Sequence, residues 1–255
     1  MTGPRPRVVV RPDAGALARS VAETLVARLV AAQEIHGTAS VVLTGGGVGI
    51  AVLEQVAALS PGATAPDWSA VDVWWSDERF VPADDDGRNE GAARRALLDV
   101  VGVPPARVHA MPASDAGFAG PEDAAEWYAR ELTAAAAPGS DLPRFDVLLL
   151  GIGPEGHTAS IFPESPAAHD ERPVFAVRDC PKPPPTRVSL GFTAINTADE
   201  VWLVVAGTEK APVVARALAG APAATLPAAG ARGRSATTWW LDAEAAAQLD
   251  DGALH

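Results

Sequence analysis

Residues 145–157 read Phe-Asp-Val-Leu-Leu-Leu-Gly-Ile-Gly-Pro-Glu-Gly-His. The first six form a near-continuous apolar run, the pattern of a strand buried on both faces. Such strands belong to parallel sheets covered by helices on either side. The run stops at Gly151 and gives way to glycines and polar residues. Fold class therefore turns on whether other stretches repeat this order of apolar strand, Gly-rich polar edge and helix.

Several do. A strand over 40–44 ends at Gly45-Gly46-Gly47-Val48-Gly49 and is followed by a helix over 48–59. A strand over 71–76 ends at Asp77-Glu78-Arg79, and one over 201–206 ends at Gly207-Thr208-Glu209-Lys210 before a helix over 208–218. Further strands are expected at 7–10, 187–190 and 237–241. Helices are expected at 13–36 (Asp13 as N-cap, Gly37 as stop), 89–101, 121–137 with Pro121 in its first turn, and 243–249. Alternation of this kind predicts an α/β fold: three layers, α/β/α, around a mostly parallel Rossmann-like sheet with helices on both faces. Two loops stand out, a proline-rich one at 181–185 and an Ala/Pro/Gly-rich one at 221–233 that has the composition of a mobile segment. Neither divides the chain, so one domain over residues 1–255 is expected.

Composition limits the function classes. With 48% hydrophobic and 20% charged residues the chain has globular composition. A net charge of -12 argues against a nucleic-acid partner, which needs a basic face. Cys180 is the single cysteine, so a disulfide framework and a Cys-based zinc site are excluded. No apolar run approaches the roughly 20 residues of a membrane span. Residues 1–11 lack the long apolar stretch of a secretory leader, so the cytoplasm is the expected compartment. Among 20 basic residues only Lys182 and Lys210 are lysines, which marks both as positions where a compact ammonium is wanted.

In open parallel sheets, ligands bind beyond the carboxyl ends of the strands. The four polar clusters named above fall on that one edge. Gly45–Gly49 opens a helix, so it reads either as an anion cradle of backbone N–H groups or as a plain tight turn. Arg79 reads either as a guanidinium fork aimed into the cleft or as part of a solvated ion cluster. His157, among Gly151, Gly153 and Gly156, has the side chain suited to general-base work near neutral pH. His36, His109, His169 and His255 lie in helix-end, loop or terminal contexts. No histidine pair has metal-ligand spacing, and no nucleophile elbow is present. Trp74-Trp75 and Trp239-Trp240 read as packing residues.

Four blocks in this order carry a resemblance: Leu43-Thr44-Gly45-Gly46; Trp75-Ser76-Asp77-Glu78-Arg79-Phe80-Val81-Pro82 running on to Asn89; residues 145–153 with Gly156-His157-Thr158-Ala159-Ser160-Ile161-Phe162-Pro163; and Pro181-Lys182-Pro183-Pro184 with Arg187. Spanning about residues 40–210, they resemble the 6-phosphogluconolactonase family, relatives of the glucosamine-6-phosphate deaminases. The resemblance implies hydrolysis of 6-phospho-D-glucono-1,5-lactone to 6-phosphogluconate, a step of the oxidative pentose phosphate pathway, without metal or cofactor. It implies a small sugar-phosphate lactone as partner and a monomer or small homo-oligomer. His157 is then the general base, and Glu155, where the family usually has Asp, is an acid that orients the histidine or the water. Arg79 and Lys182 are phosphate ligands, and Gly45, Gly46 and Gly47 line the site. Asp77, Asn89 and Arg187 are further substrate contacts. Arg88, where the family usually has Ser, is either an added phosphate ligand or a solvated side chain. The N–H groups of the turn before His157 are candidates for the oxyanion. Gly47-Val48-Gly49, in place of the family's hydroxyl and proline, and Glu155 keep open a non-catalytic sugar-phosphate binding protein, and the related family keeps open an amino-sugar phosphate deaminase.

Overall fold

The computed structural model describes residues 5–62 and 64–250; His255 lies outside them. In chain order the strands are β1 (Arg7–Arg11), β2 (Ala39–Leu43), β3 (Val71–Trp75), β4 (Asp77–Arg79), β5 (Val147–Leu150), β6 (Val174–Val177), β7 (Arg187–Leu190), β8 (Glu200–Val205) and β9 (Ala236–Asp242). The helices are α1 (Ala14–His36), α2 (Gly47–Leu59), α3 (Asn89–Ala93), α4 (Asp99–Val101), α5 (Pro121–Ala134), α6 (Phe192–Ile195) and α7 (Ala211–Leu218). A π-helical turn, Arg94–Leu98, joins α3 to α4.

Six strands form a parallel sheet in the order β1-β9-β8-β5-β2-β3. Alternate side chains along each strand serve opposite faces, as the period of two requires. Val42, Leu148, Leu150 and Leu203 pack into one hydrophobic cluster together with Tyr128 and Leu132 of α5 and Val214 of α7. Val41, Leu43, Leu149 and Val204 pack into the other with Leu17 and Leu25 of α1 and Leu53 of α2. The sheet is thus covered on both sides, giving the three layers expected. The adjacent tryptophans follow the same rule: Trp74 and Trp239 fall in one cluster, Trp75 and Trp240 in the other. α1 begins where expected, with the Asp13 carboxylate accepting from the Ala16 N–H at 2.8 Å, and it ends at Gly37, whose φ is +76°.

Four expectations are corrected. Asp77-Glu78-Arg79 is not a loop beyond β3. The chain changes sheets at Ser76, whose N–H donates to Leu43 O (2.9 Å) while its carbonyl accepts from Leu190 N (2.8 Å). Asp77–Arg79 then runs as β4 in a second, antiparallel sheet of order β4-β7-β6. The strand read at 187–190 belongs to this sheet and not to the parallel one, and β6 is only four residues long. Apolar periodicity marks a strand but carries neither its direction nor its partner.

The helix expected at 243–249 is a succession of turns. Ala246 N–H reaches Asp242 O, but the following bonds span only three residues. Ala245 is buried and Ala246 and Leu249 pack against the core, so the segment docks on the sheet without forming a regular helix. Lastly, the loop at 221–233 is anchored: Leu226 and Ala228 are fully buried, and Arg232 N–H donates to Asn196 Oδ1 at 2.8 Å.

Asp242 closes the far end of the sheet. Its buried carboxylate accepts from Gly207 N–H (3.1 Å), fixing the turn after β8, and from Ala245 N–H (2.7 Å). Asp242→Ala leaves both donors unsatisfied and is expected to cost on the order of 1–3 kcal/mol, read as a lower urea midpoint; an unchanged midpoint would contradict this role.

Candidate active site

The loops after β2, β5 and β8, together with β4 and the start of α3, meet around one cleft of about 720 Å³. That lies within the roughly 300–1,000 Å³ of small-molecule sites. Gly45, Gly46, Gly47, Asp77, Arg79, Asn89, His157, Lys182 and Arg187 all line it, so most of the residues singled out from sequence converge.

His157 is set by the turn that follows β5. Gly153 N–H donates to His157 O (3.0 Å) and Gly156 N–H to Gly153 O (2.9 Å). A Cβ on Gly153 would lie 2.1 Å from His157 Nδ1 and 2.5 Å from Glu155 Oε2, so this position must be glycine for the two side chains to meet. They do meet: Glu155 Oε1 is 2.9 Å from His157 Nδ1. Burial tends to raise Glu155, but its own backbone N–H, His157 and Lys182 outweigh that and hold the carboxyl below its ordinary value. It is therefore an acceptor at neutral pH, and Nδ1 must carry the proton. Nε2 is left as the basic nitrogen and makes no hydrogen bond among the described residues. Burial holds the imidazole itself below its ordinary value; the Lys182 ammonium adds to this, while Glu155 and Asp77 oppose it. The ring stacks on Phe162 with centroids 4.6 Å apart.

Cations and an open helix terminus form another part of the cleft. Gly46 (φ +84°) precedes α2 as its N-cap and offers no side chain, so the first-turn N–H groups make no side-chain cap bond among the described residues and carry the favourable end of the helix dipole. Gly49 lets this turn close onto Thr44, since a Cβ there would sit 3.1 Å from Thr44 O. Gly45 is needed for Asn89: a Cβ would fall 2.0 Å from Asn89 Oδ1. Arg79 lines the cleft with one guanidinium N–H donating to Gly87 O. Lys210, marked from composition and from its strand-end cluster but not named as a site residue, also lines the cleft, with Nζ 3.3 Å from Glu209 Oε1 and 3.4 Å from Ala206 O. Thr44, whose Oγ1 accepts from Gly151 N–H at 3.3 Å, is another lining residue that sequence reading passed over.

Two expectations change here. Arg88 is not on the cleft. It is 2% exposed, and its Nη2 donates to Met111 O (2.8 Å) and Glu90 Oε2 (2.9 Å) and lies 3.8 Å from Glu78 Oε2. A buried carboxylate, Glu78, requires this cation nearby. Glu78 in turn accepts from the N–H groups of Arg79, Asn89 and Glu90 at 2.7–2.8 Å, capping α3 and fixing Arg79 at the cleft edge. Burial nonetheless pushes Glu78 up from its ordinary value. In the turn before His157, the N–H groups of Gly151, Gly153 and Gly156 are spent inside the protein, so these three are not oxyanion donors.

Asp77, Asn89 and Arg187 line the cleft, but their polar atoms are largely engaged. Asp77 Oδ2 accepts from Ser160 Oγ (2.7 Å) and lies 3.7 Å from Arg187 Nη1. Asn89 Nδ2 donates to Asp77 O (2.9 Å). Arg187 donates to Lys182 O (3.1 Å) and Pro184 O (3.2 Å). Cys180, buried beneath this loop, directs Sγ at Lys182 O (3.1 Å).

The Gly153 contact yields a test. Gly153→Ala is expected to lower turnover of the cleft's substrate at least ~100-fold, the lower end of what a positioned base supplies, because His157 and Glu155 must part. The clash is with side chains and not backbone, so far-UV circular dichroism is expected to match the wild type. Unimpaired turnover would show that the His157–Glu155 contact is dispensable.

The model for the glucosamine-6-phosphate isomerases/6-phosphogluconolactonase family matches residues 12–240. The chain is 50% identical over 248 residues to the 6-phosphogluconolactonase of Streptomyces coelicolor, covering 96% of this chain and 95% of that one. It is 50% identical over 244 residues to the 6-phosphogluconolactonase of Mycobacterium tuberculosis, covering 95% and 98%. The crystal structure of 6-phosphogluconolactonase from Thermotoga maritima superposes with a TM-score of 0.81 at 28% identity, over 93% of this chain and all of that one. With a family match across the parallel sheet and the cleft it carries, this chain belongs to the glucosamine-6-phosphate isomerase/6-phosphogluconolactonase family.

Proposed function

We propose that the cleft hydrolyses 6-phospho-D-glucono-1,5-lactone to 6-phospho-D-gluconate, in the cytoplasm, as a step of the oxidative pentose phosphate pathway. The observation that carries this is His157, with Nδ1 held by a carboxylate and Nε2 free toward a cationic cleft. The full-length relatives at 50% identity bear the lactonase name and support the same reading.

In this reading a water bound at Nε2 attacks the lactone carbonyl while the imidazole takes its proton. The tetrahedral intermediate then expels the ring oxygen, and the imidazolium returns the proton to it. One water is consumed, one C–O bond forms and one breaks, the base is regenerated, and the new carboxylic acid gives its proton to solvent. A lactone is an activated ester, so no covalent enzyme intermediate is needed. Ser160 is fully buried and its hydroxyl is committed to Asp77, which suits a site without a serine nucleophile.

The phosphate is assigned to the open first turn of α2, to Arg79 and to Lys210. A dianion is suited by a helix N-terminus with cations beside it. Anchoring this remote group fixes the carbonyl against the water and lowers the entropic part of the barrier. In a chain of net charge -12 these groups make a local attraction that salt weakens. Glu155 keeps contact with His157 despite its extra methylene relative to aspartate.

The test is lactone decay. With substrate generated in place and spontaneous hydrolysis subtracted, the wild type is expected to accelerate decay and His157→Ala to leave the background rate. Because burial lowers His157, kcat/KM is expected to stay level until the pH falls below the ordinary imidazole value of roughly 6.5, and then to drop as the base protonates. Acceleration retained by His157→Ala, or an acid limb above that value, would overturn the assignment.

A further inference from the structure

We propose that Lys182 is a positioning residue for the base, holding the open oxygen of Glu155 so that the carboxylate keeps His157 in place, and is not a phosphate ligand. The inference rests on the lactonase reading. Glu155 spends Oε1 on His157; its Oε2 is buried and has no hydrogen-bond partner among the described residues. Lys182 Nζ lies 3.4 Å from that oxygen. A buried carboxylate oxygen without compensation is costly, and the ammonium supplies the compensation. Gly153 leaves room for the arrangement, since a Cβ there would press on Oε2 as well as on His157.

The loop delivers the ammonium to this place. Pro181, Pro183, Pro184 and Pro185 restrict its backbone. Buried Arg187 and the Cys180 thiol both bond to Lys182 O, and Arg187 also bonds to Pro184 O. Arg187 is steadied by Asp77 and lies over the Phe162 ring, 6.0 Å from its centroid, on which His157 stacks. The carbonyl of Lys182 and the ring of His157 are thereby tied to one buried guanidinium. The charges facing the imidazole are Glu155 from its own turn, Lys182 from the proline loop and Asp77 from β4, with Arg187 behind Phe162. The open turn of α2, Arg79 and Lys210 remain for phosphate, so that group does not require Lys182.

Two substrates separate the roles: the 6-phosphorylated lactone and the unphosphorylated D-glucono-1,5-lactone. A residue acting through Glu155 matters equally to both. Lys182→Met is expected to lower kcat/KM about tenfold on each, the low end of what outer partners of a functional histidine supply. Lys182→Arg, which keeps the charge, is expected to recover most of the loss. NMR titration of the His157 imidazole, which needs no turnover, is expected to show a higher pKa in Lys182→Met, because a neighbouring cation is gone. A loss confined to the phosphorylated lactone would make Lys182 a phosphate ligand and overturn the proposal, as would an unmoved imidazole titration. If the wild type accelerates the decay of neither lactone, the lactonase reading fails instead, and the imidazole titration still decides whether Lys182 acts on His157.

Discussion

Every side chain from Val147 to Leu150 is buried, alternately in two hydrophobic clusters. A strand so placed cannot bear a polar group along its length, because each would need a partner in an apolar layer. Its neighbours β2 and β8 are buried too and keep their polar side chains, Ser40 and Glu200, to their starting ends, so the chain's chemistry is pushed to the opposite strand ends. There the backbone must turn tightly, and Gly45, Gly153 and Gly156 stand where a side chain would strike a functional group or the neighbouring loop. Burial of the sheet and crowding of the cleft are two results of one arrangement.

The polar residues at that edge are organised as opposed charges. Glu78 faces Arg88, Asp77 faces Arg187, and Glu155 faces Lys182. The first two pairs are buried, and such pairs add little net stability although removing one partner is costly; the third is partly exposed. Their value here is geometric. Glu78 fixes the backbone of Arg79 and the start of α3; Asp77 and Arg187 join β4 to the proline loop; Glu155 selects the tautomer of His157. An acidic chain thereby keeps a few cations committed to one cleft.

What could be read from sequence, and what could not, divides along physical lines. The Phe145–Leu150 run, the Asp13 cap and the Gly37 stop are local signals, and each appears in the structure at its place. The glycine and histidine edge was legible because ligands gather at strand ends and few other residues tolerate such turns. The second sheet was not: Asp77–Arg79 is short and polar, and nothing in its pattern says that it pairs with residues over a hundred positions away. Arg88 illustrates the same limit. A charged residue beside an active-site block reads as a ligand, and only the tertiary position of Glu78 reveals its buried counter-charge. Lys210 was marked by composition and by the strand-end cluster it closes, and its placement depends on the turn after β8 that Asp242 holds.

The segment 221–233 lies behind the catalytic turn. Leu226 occupies the space that a side chain on Gly156 would need, Ala228 N–H donates to Gly156 O (3.0 Å), and Ala224 O accepts from Glu164 N–H (2.8 Å). This stretch of alanine, proline and glycine carries the short 3₁₀ turn Pro227–Gly230, and its Leu226, Pro227, Ala228 and Ala231 are buried. A loop of small residues is thereby used as backing for the turn that bears His157. Substitutions in 221–233 that touch no substrate reach the cleft through Gly156, so the shape of the site is shared by residues about seventy positions apart in sequence.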